Sequence, residues 1–174
     1  VPVVLDLMIH DIDIVLSLIK SGVKSIQASG VSVISETPDI ANARIEFDNG
    51  AVANITTSRV SLKNMRKARF FQNDGYITID FLNKKVEAIR ISEGEISNSP
   101  FSFEIDPKQN GEKKILSYES PKVDEVNAIK YELELFAKSI IDDLPTAVSL
   151  EDGFLSLKVA HQILEKIEKT YAKF

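Results

Sequence analysis

From Val23 to Ser92 the chain repeatedly alternates apolar and polar residues, and turn sequences interrupt the alternation at Asn49-Gly50 and Asn73-Asp74-Gly75. A period of two places alternate side chains on opposite faces of a strand, and Asn-Gly is the pair that closes the tightest hairpins. This stretch therefore predicts an antiparallel sheet with one buried face. VKSIQASGVSVI (23–34) reads as its first strand. Ala41, Ala43, Ile45 and Phe47 then alternate with Asn42, Arg44, Glu46 and Asp48, and AVANITTSRVS (51–61) returns with Ala51, Ala53 and Ile55 on the same apolar face. RFFQ (69–72) and YITIDFL (76–82) form a second hairpin, and KVEAIRIS (85–92) extends the meander after Asn83-Lys84.

A one-sided sheet needs a cover, and the flanking segments supply helices. Residues 5–20, LDLMIHDIDIVLSLIK, are the most apolar stretch. At about 100° per residue, Asp6, His10, Asp13, Ser17 and Lys20 fall in one stripe about 80° wide, while apolar residues cover most of the rest. Such a helix is buried over most of its circumference, and its polar stripe faces water, a partner or a cleft. Residues 93–122 read as a long loop with one or two irregular strands. Helical periodicity returns over 124–142, with Val126, Ile129, Leu133, Phe136 and Ile140 on one face, and Leu144-Pro145 ends it. Ser149 and Asp152 resemble a capping box opening a last helix, whose apolar stripe reads Leu150, Phe154, Leu157, Leu164, Ile167 and Tyr171. The expected class is α+β: an open antiparallel sheet with helices packed on one face, in a single domain spanning 1–174.

Composition narrows the function classes. The 174 residues are 44% hydrophobic and 27% charged, which is globular and neither disordered nor fibrous. There is no cysteine and there are two histidines, which excludes disulfide scaffolds, thiolate zinc sites, cysteine nucleophiles and all-histidine zinc. A net charge of −5 argues against a nucleic-acid or anionic-membrane partner. No apolar run reaches the roughly 18 residues of a membrane span, and no signal-peptide pattern opens the chain, so a cytoplasmic location is expected. The seven glycines never form G-x-G-x-x-G or a P-loop, so no nucleotide cradle is encoded.

The polar stripe of the first helix is the sharpest candidate for chemistry. Asp6 and His10 stand one turn apart, and a carboxylate beside an imidazole can fix its tautomer and stabilise the imidazolium, as a general base needs. An ordinary surface pair fits the same spacing. Asp13 continues the stripe and can bond a substrate hydroxyl, or pair with Ser17 or Lys20. Lys63, Arg66, Lys67 and Arg69 form a basic cluster suited to a phosphorylated substrate, or to a solvated strand edge. His161, between Leu157 and Leu164, reads as a hydrogen-bonded core histidine. Arg44 and Glu46 read as a pair on the polar strand face.

With these residues in view, the chain resembles the C-terminal domain of the glucose–fructose oxidoreductase / inositol dehydrogenase / MocA family. The resemblance rests on VVLDLMIHDIDIVLSLI, whose Asp6, His10 and Asp13 follow the family pattern. It rests equally on the order of IEFDNGAVANITTS, NDGYITIDF and PTAVSLEDGFLSLKVAHQILEKI behind it. It implies NAD(P)-dependent oxidation of a secondary hydroxyl on a sugar, polyol or nucleotide sugar, with His10 as base and Asp6 orienting it. Asp13, Arg66 and Arg69 are the expected substrate contacts, and the resemblance implies NAD or NADP bound mainly by an N-terminal Rossmann domain. That domain's E-K-P motif is absent from this chain, so the chain alone is expected to be inactive. The family's exposed sheet face implies a homodimer or homotetramer, here through Asn54, Thr56 and Ser58. The DLMIHDIDI wording is similar to members that act on nucleotide sugars. A second reading stays open, in which this is a non-catalytic sheet domain for assembly or partner binding and the Asp6–His10 pair is structural.

Overall fold

A computed structural model describes residues 1–93, 101–105 and 114–171, with the side chains of residues 170 and 171 outside that description. It divides into two compact units, Val1–Leu62 with Ala128–Phe174, and Lys63–Asn127. The α+β class holds. Where one open sheet was expected, however, there are two antiparallel sheets, one in each unit.

In the first unit a π-helical turn, Val4–Met8, runs into α1 (Ile9–Leu18). The sheet follows as β1 (Val23–Val31), β2 (Ile40–Phe47) and β3 (Val52–Ser58), in the order of the chain. The first strand stops at Val31, short of the expected Ile34, because Asp39 claims the backbone of residues 33–35 for a loop. Between β2 and β3 the hairpin loop is three residues, Asp48-Asn49-Gly50, not the two that Asn-Gly suggested. Phe47 donates to the Ala51 carbonyl across it, and Gly50 takes φ +86°, a left-handed conformation that glycine adopts without a Cβ clash.

The core lies on one face of this sheet. Ala41, Ala43, Ile45 and Phe47 of β2 and Ala53 and Ile55 of β3 are buried there, under Met8 and Ile12 from the first helical segment and Val159, Ala160, Ile163 and Ile167 from α3 (Leu150–Tyr171). The opposite face carries Gln27, Asn42, Arg44, Asn54 and Thr56, as the alternation required. Arg44 bonds Glu46 at 3.4 Å and Asn54 at 3.3 Å on that face, the surface pairing its position suggested. α3 crosses β1 closely at Gly30, where a Cβ would stand 3.0 Å from Ile167 Cγ2.

Both C-terminal helices depart from the sequence reading. α2 (Ala128–Ile141) starts later than 124–142 implied, and Val126 lies outside it. Ser139 is its buried residue, while Ile129, Leu133, Phe136 and Ile140 are 55–72% exposed. In α3 the buried face is Ser156, Val159, Ala160, Ile163 and Ile167. Leu150, Phe154 and Leu157, expected on the core stripe, are exposed, and the Tyr171 side chain lies outside the described residues. The helix is apolar on more than one side. Ser156 and Ala160 sit on the side that packs because small residues permit close approach. His161 is consequently exposed, not a core histidine.

The second unit is a five-stranded sheet of β4 (Lys67–Gln72), β5 (Gly75–Asp80), β6 (Lys85–Glu93), β7 (Ser102–Ile105) and β8 (Lys114–Glu119), ordered β4-β5-β6-β8-β7. β7 and β8 are the strands expected within 93–122; residues 94–100 and 106–113 of that stretch lie outside the described residues. Asp80 is buried and accepts bonds from the backbone and side-chain amides of Asn83, both at 3.0 Å, which closes the β5–β6 turn.

Candidate functional site

The site is built on the π turn and α1. The Ile9 N–H reaches back five residues to the Val4 carbonyl, and this wider turn changes which residues align. Val4, Met8 and Ile12, spaced by four, all have no exposed surface. In an α-helix that spacing drifts by about 40° per step, and a π turn removes much of the drift. The same geometry keeps Asp6 and His10 on one outward face, both exposed, with Asp13 half-buried further along.

Asp6 is held from outside its own helix. Its Oδ2 accepts a bond from Arg59 Nη2 at 2.8 Å, and no hydrogen bond joins it to His10. Arg59, just past β3, is anchored in turn. Its Nη1 lies 3.5 Å from Asp39 Oδ1, its Nη2 donates to the Val1 carbonyl at 2.9 Å, and its backbone N–H donates to the Asp39 carbonyl at 2.8 Å. Asp39 is fully buried at the mouth of β2. Its Oδ2 accepts the backbone N–H groups of Val33, Ile34 and Ser35 at 2.8, 2.8 and 3.0 Å, and the Ser35 hydroxyl donates to Oδ1 at 2.9 Å. The N–H groups of Ile34 and Val33, with Ser35, hold the Asp39 carboxyl well below the usual carboxylate range, outweighing burial.

Asp13 does not pair with Ser17 or Lys20. The buried Ser156 hydroxyl of α3 lies 3.0 Å from Asp13 Oδ1 and 3.0 Å from the Asp152 carbonyl, tying α1 to α3. Ser17 instead donates to the Ile14 carbonyl at 2.8 Å. The capping box is present: Asp152 N–H donates to Ser149 Oγ at 3.1 Å, while the Ser149 N–H at 3.0 Å and the Ser149 hydroxyl at 2.7 Å donate to Asp152 Oδ2 and lower that carboxyl. A cleft of about 260 Å³ opens at this end of the stripe, lined by Asp13, Leu16, Lys20, Val148, Asp152 and Leu155.

The basic residues belong to the second unit. Arg66 places its guanidinium 5.1 Å from the Phe81 ring centre, and Lys67 pairs with Asp80 at 2.9 Å. Arg69 is exposed on β4 opposite Thr78. Among the described residues, no group of three or more histidine, aspartate or glutamate side chains could hold a metal ion. No described helix is long and apolar enough to cross a membrane. Asp6 stands in the opening turn of the first helical segment, and at the start of α3 the Ser149 N–H goes to Asp152 Oδ2 and the Asp152 N–H to Ser149 Oγ, so neither of these two helix starts suits a dinucleotide pyrophosphate.

Sequence reasoning found Asp6, His10 and Asp13 but missed Arg59 and Asp39. Arg59 is placed by partners 20 to 58 positions away, and Asp39 by the backbone of a loop at residues 33–35 that strand alternation does not announce.

Comparison with known proteins bears out the resemblance read from the motifs. Residues 2–78 match the GFO/IDH/MocA C-terminal domain. Over 100 residues, 58% of this chain and 32% of the relative, the sequence is 35% identical to UDP-N-acetylglucosamine 3-dehydrogenase of Acidithiobacillus ferrooxidans. A solved structure of that enzyme superposes with a TM-score of 0.80 at 29% identity, covering 96% of this chain and 49% of its own. Levoglucosan dehydrogenase, solved with NADH and L-sorbose, shares the fold at a TM-score of 0.71 and 15% identity, covering 94% of this chain and 47% of its own. The chain thus spans about half the length of the solved relatives it matches, and about a third of the curated one.

Proposed function

We propose that this chain, whose residues 2–78 match the GFO/IDH/MocA C-terminal domain, is the substrate-binding and base-bearing part of a nicotinamide-dependent sugar dehydrogenase. Its substrate class is a nucleotide sugar, and the reaction is oxidation of a secondary hydroxyl to a ketone. The observation that carries the reading is the exposed Asp6–His10 pair on a helical segment anchored in the core by Val4, Met8 and Ile12. Burial fixes the helix, so the two polar side chains are presented on a rigid support, as a catalytic group requires.

In this scheme His10, neutral, accepts the proton of the substrate hydroxyl as the carbonyl forms. Its exposure leaves the ring open to substrate. Asp6, one turn away, stabilises the imidazolium that results. Asp13, already bonded to Ser156, orients a further hydroxyl. Arg66 and Arg69, within the second unit, carry charge of the sign that suits a diphosphate. NAD or NADP, when bound, would supply the acceptor for the hydride, and the sequence of this chain carries no glycine-rich motif for its phosphates. The whole chain, 1–174, acts as one substrate and assembly domain, inactive alone, in a cytoplasmic homodimer or homotetramer formed through the polar sheet face.

The test uses the full-length enzyme with UDP-N-acetylglucosamine and NAD or NADP. His10→Ala should lower kcat by about 10²–10⁴-fold while circular dichroism and the unfolding midpoint stay near those of the parent. Turnover equal to the parent's would remove His10 from the reaction and leave Asp6–His10 as a surface pair.

A further inference from the structure

We infer that Arg59 is a positioning residue of this site, fixing the Asp6 carboxylate beside His10. The inference rests on the reading of Asp6 and His10 given above and adds a residue to it. Three observations carry it. First, Arg59 Nη2 donates to Asp6 Oδ2 at 2.8 Å, and this is the bond that engages the Asp6 side chain. A carboxylate half exposed on the first helical turn would otherwise sample several rotamers. Second, the guanidinium is pinned. Asp39, with no exposed surface and five hydrogen bonds from its own loop and Arg59, cannot shift, and the Val1 carbonyl adds a further contact. Arg59 is therefore a strut from the rigid mouth of β2 to the outward face of the helix. Third, the contact uses one carboxylate oxygen. Asp6 Oδ1 accepts no bond among the described residues and stays open to His10 or a substrate hydroxyl.

A planar guanidinium with several fixed donors can satisfy two carboxylates and a carbonyl at once, whereas an ammonium acts as a single point. The arrangement also balances charge. Asp6 and Asp39 both lean on one cation, so Asp6 meets the site with its negative charge partly compensated.

The experiment is a double-mutant cycle in the full-length enzyme, again with UDP-N-acetylglucosamine and the nicotinamide that supports turnover. Asp6→Asn, Arg59→Met, Arg59→Lys and the double variant Asp6→Asn with Arg59→Met are compared in kcat, KM and thermal midpoint. Arg59→Met should lower kcat about tenfold with KM within about threefold, and Arg59→Lys should recover part of the loss. The double variant should be no slower than Asp6→Asn, because Arg59 acts only through Asp6. The thermal midpoints should be non-additive as well, which reads the contact without activity. Multiplying kcat losses, or an Arg59→Met variant with parental kcat, would overturn the inference while leaving His10 in place. Slow Arg59→Met with parental Asp6→Asn and His10→Ala would overturn the reading of the site, and this inference with it; so would an enzyme that turns over no UDP-N-acetylglucosamine. If Arg59→Met does not fold, Arg59→Lys and its cycle with Asp6→Asn decide the matter.

Discussion

Asp39 shows how one side chain can matter at a distance from the chemistry. It is buried and ionised, and its loop was bent to serve it, with three consecutive N–H groups converging on one oxygen. Because its folded pKa is depressed, folding favours the ionised form, and the stability it contributes is fully present above the unfolded value near 4. That stability is lost as pH falls through the folded value. Urea midpoints should therefore hold steady from pH 8 to 5 and fall below pH 4. Asp39→Asn should lower the midpoint at pH 7, and the gap to the parent should narrow by pH 3. A gap of constant size would show that Asp39 does not titrate with folding. Asp80, Glu87 and Asp152 are depressed in the same direction, so the variant should keep part of the acid sensitivity. At this scale the sequence was half legible. Helical phase alone brought Asp6, His10 and Asp13 to one stripe. Asp39 and Arg59 stayed hidden because their partners are set by strand pairing and loop closure, which no local spacing encodes.

Among the elements, α3 supplies Val159, Ala160, Ile163 and Ile167 to the core, closing a sheet whose strands lie far upstream. Its capping box was readable from Ser149 and Asp152, and both reciprocal bonds are present. Ser149→Ala should cost about 1 kcal/mol in urea unfolding, since the orphan Asp152 N–H loses its side-chain acceptor. Ser149→Thr should retain most of that stability, and an alanine variant as stable as the parent would show that the cap is replaceable by water. Hairpins were equally readable, because Asn49-Gly50 and Asn73-Asp74-Gly75 state their turns locally. The buried side of α3 was not. With Leu150, Phe154 and Leu157 on one flank and Val159, Ile163 and Ile167 on another, periodicity offers two faces, and only the packing at Gly30, Ser156 and Ala160 chooses between them. The split of one expected sheet into two was hidden for a similar reason. Alternation specifies a strand's faces but not which neighbour it pairs with at a break such as 59–66.

The whole molecule exposes more apolar side chain than its composition suggested, much of it on α2 and the start of α3. Leu133 and Phe136 are 63% and 55% exposed, so Leu133→Glu with Phe136→Glu should change the unfolding free energy by less than about 1 kcal/mol. The same variant should bind markedly less hydrophobic dye than the parent chain. A large loss of stability would mean that α2 is packed in solution. The discontinuity of the first unit reaches further, into synthesis. Val1–Leu62 leave the ribosome well before Val159, Ala160, Ile163 and Ile167, which cover their apolar face. At about 5–20 residues per second, the nascent β1–β3 sheet waits on the order of ten seconds for its lid. During that interval the growing polypeptide is a natural client for chaperones, and a message truncated before α3 yields a sheet that can never be covered.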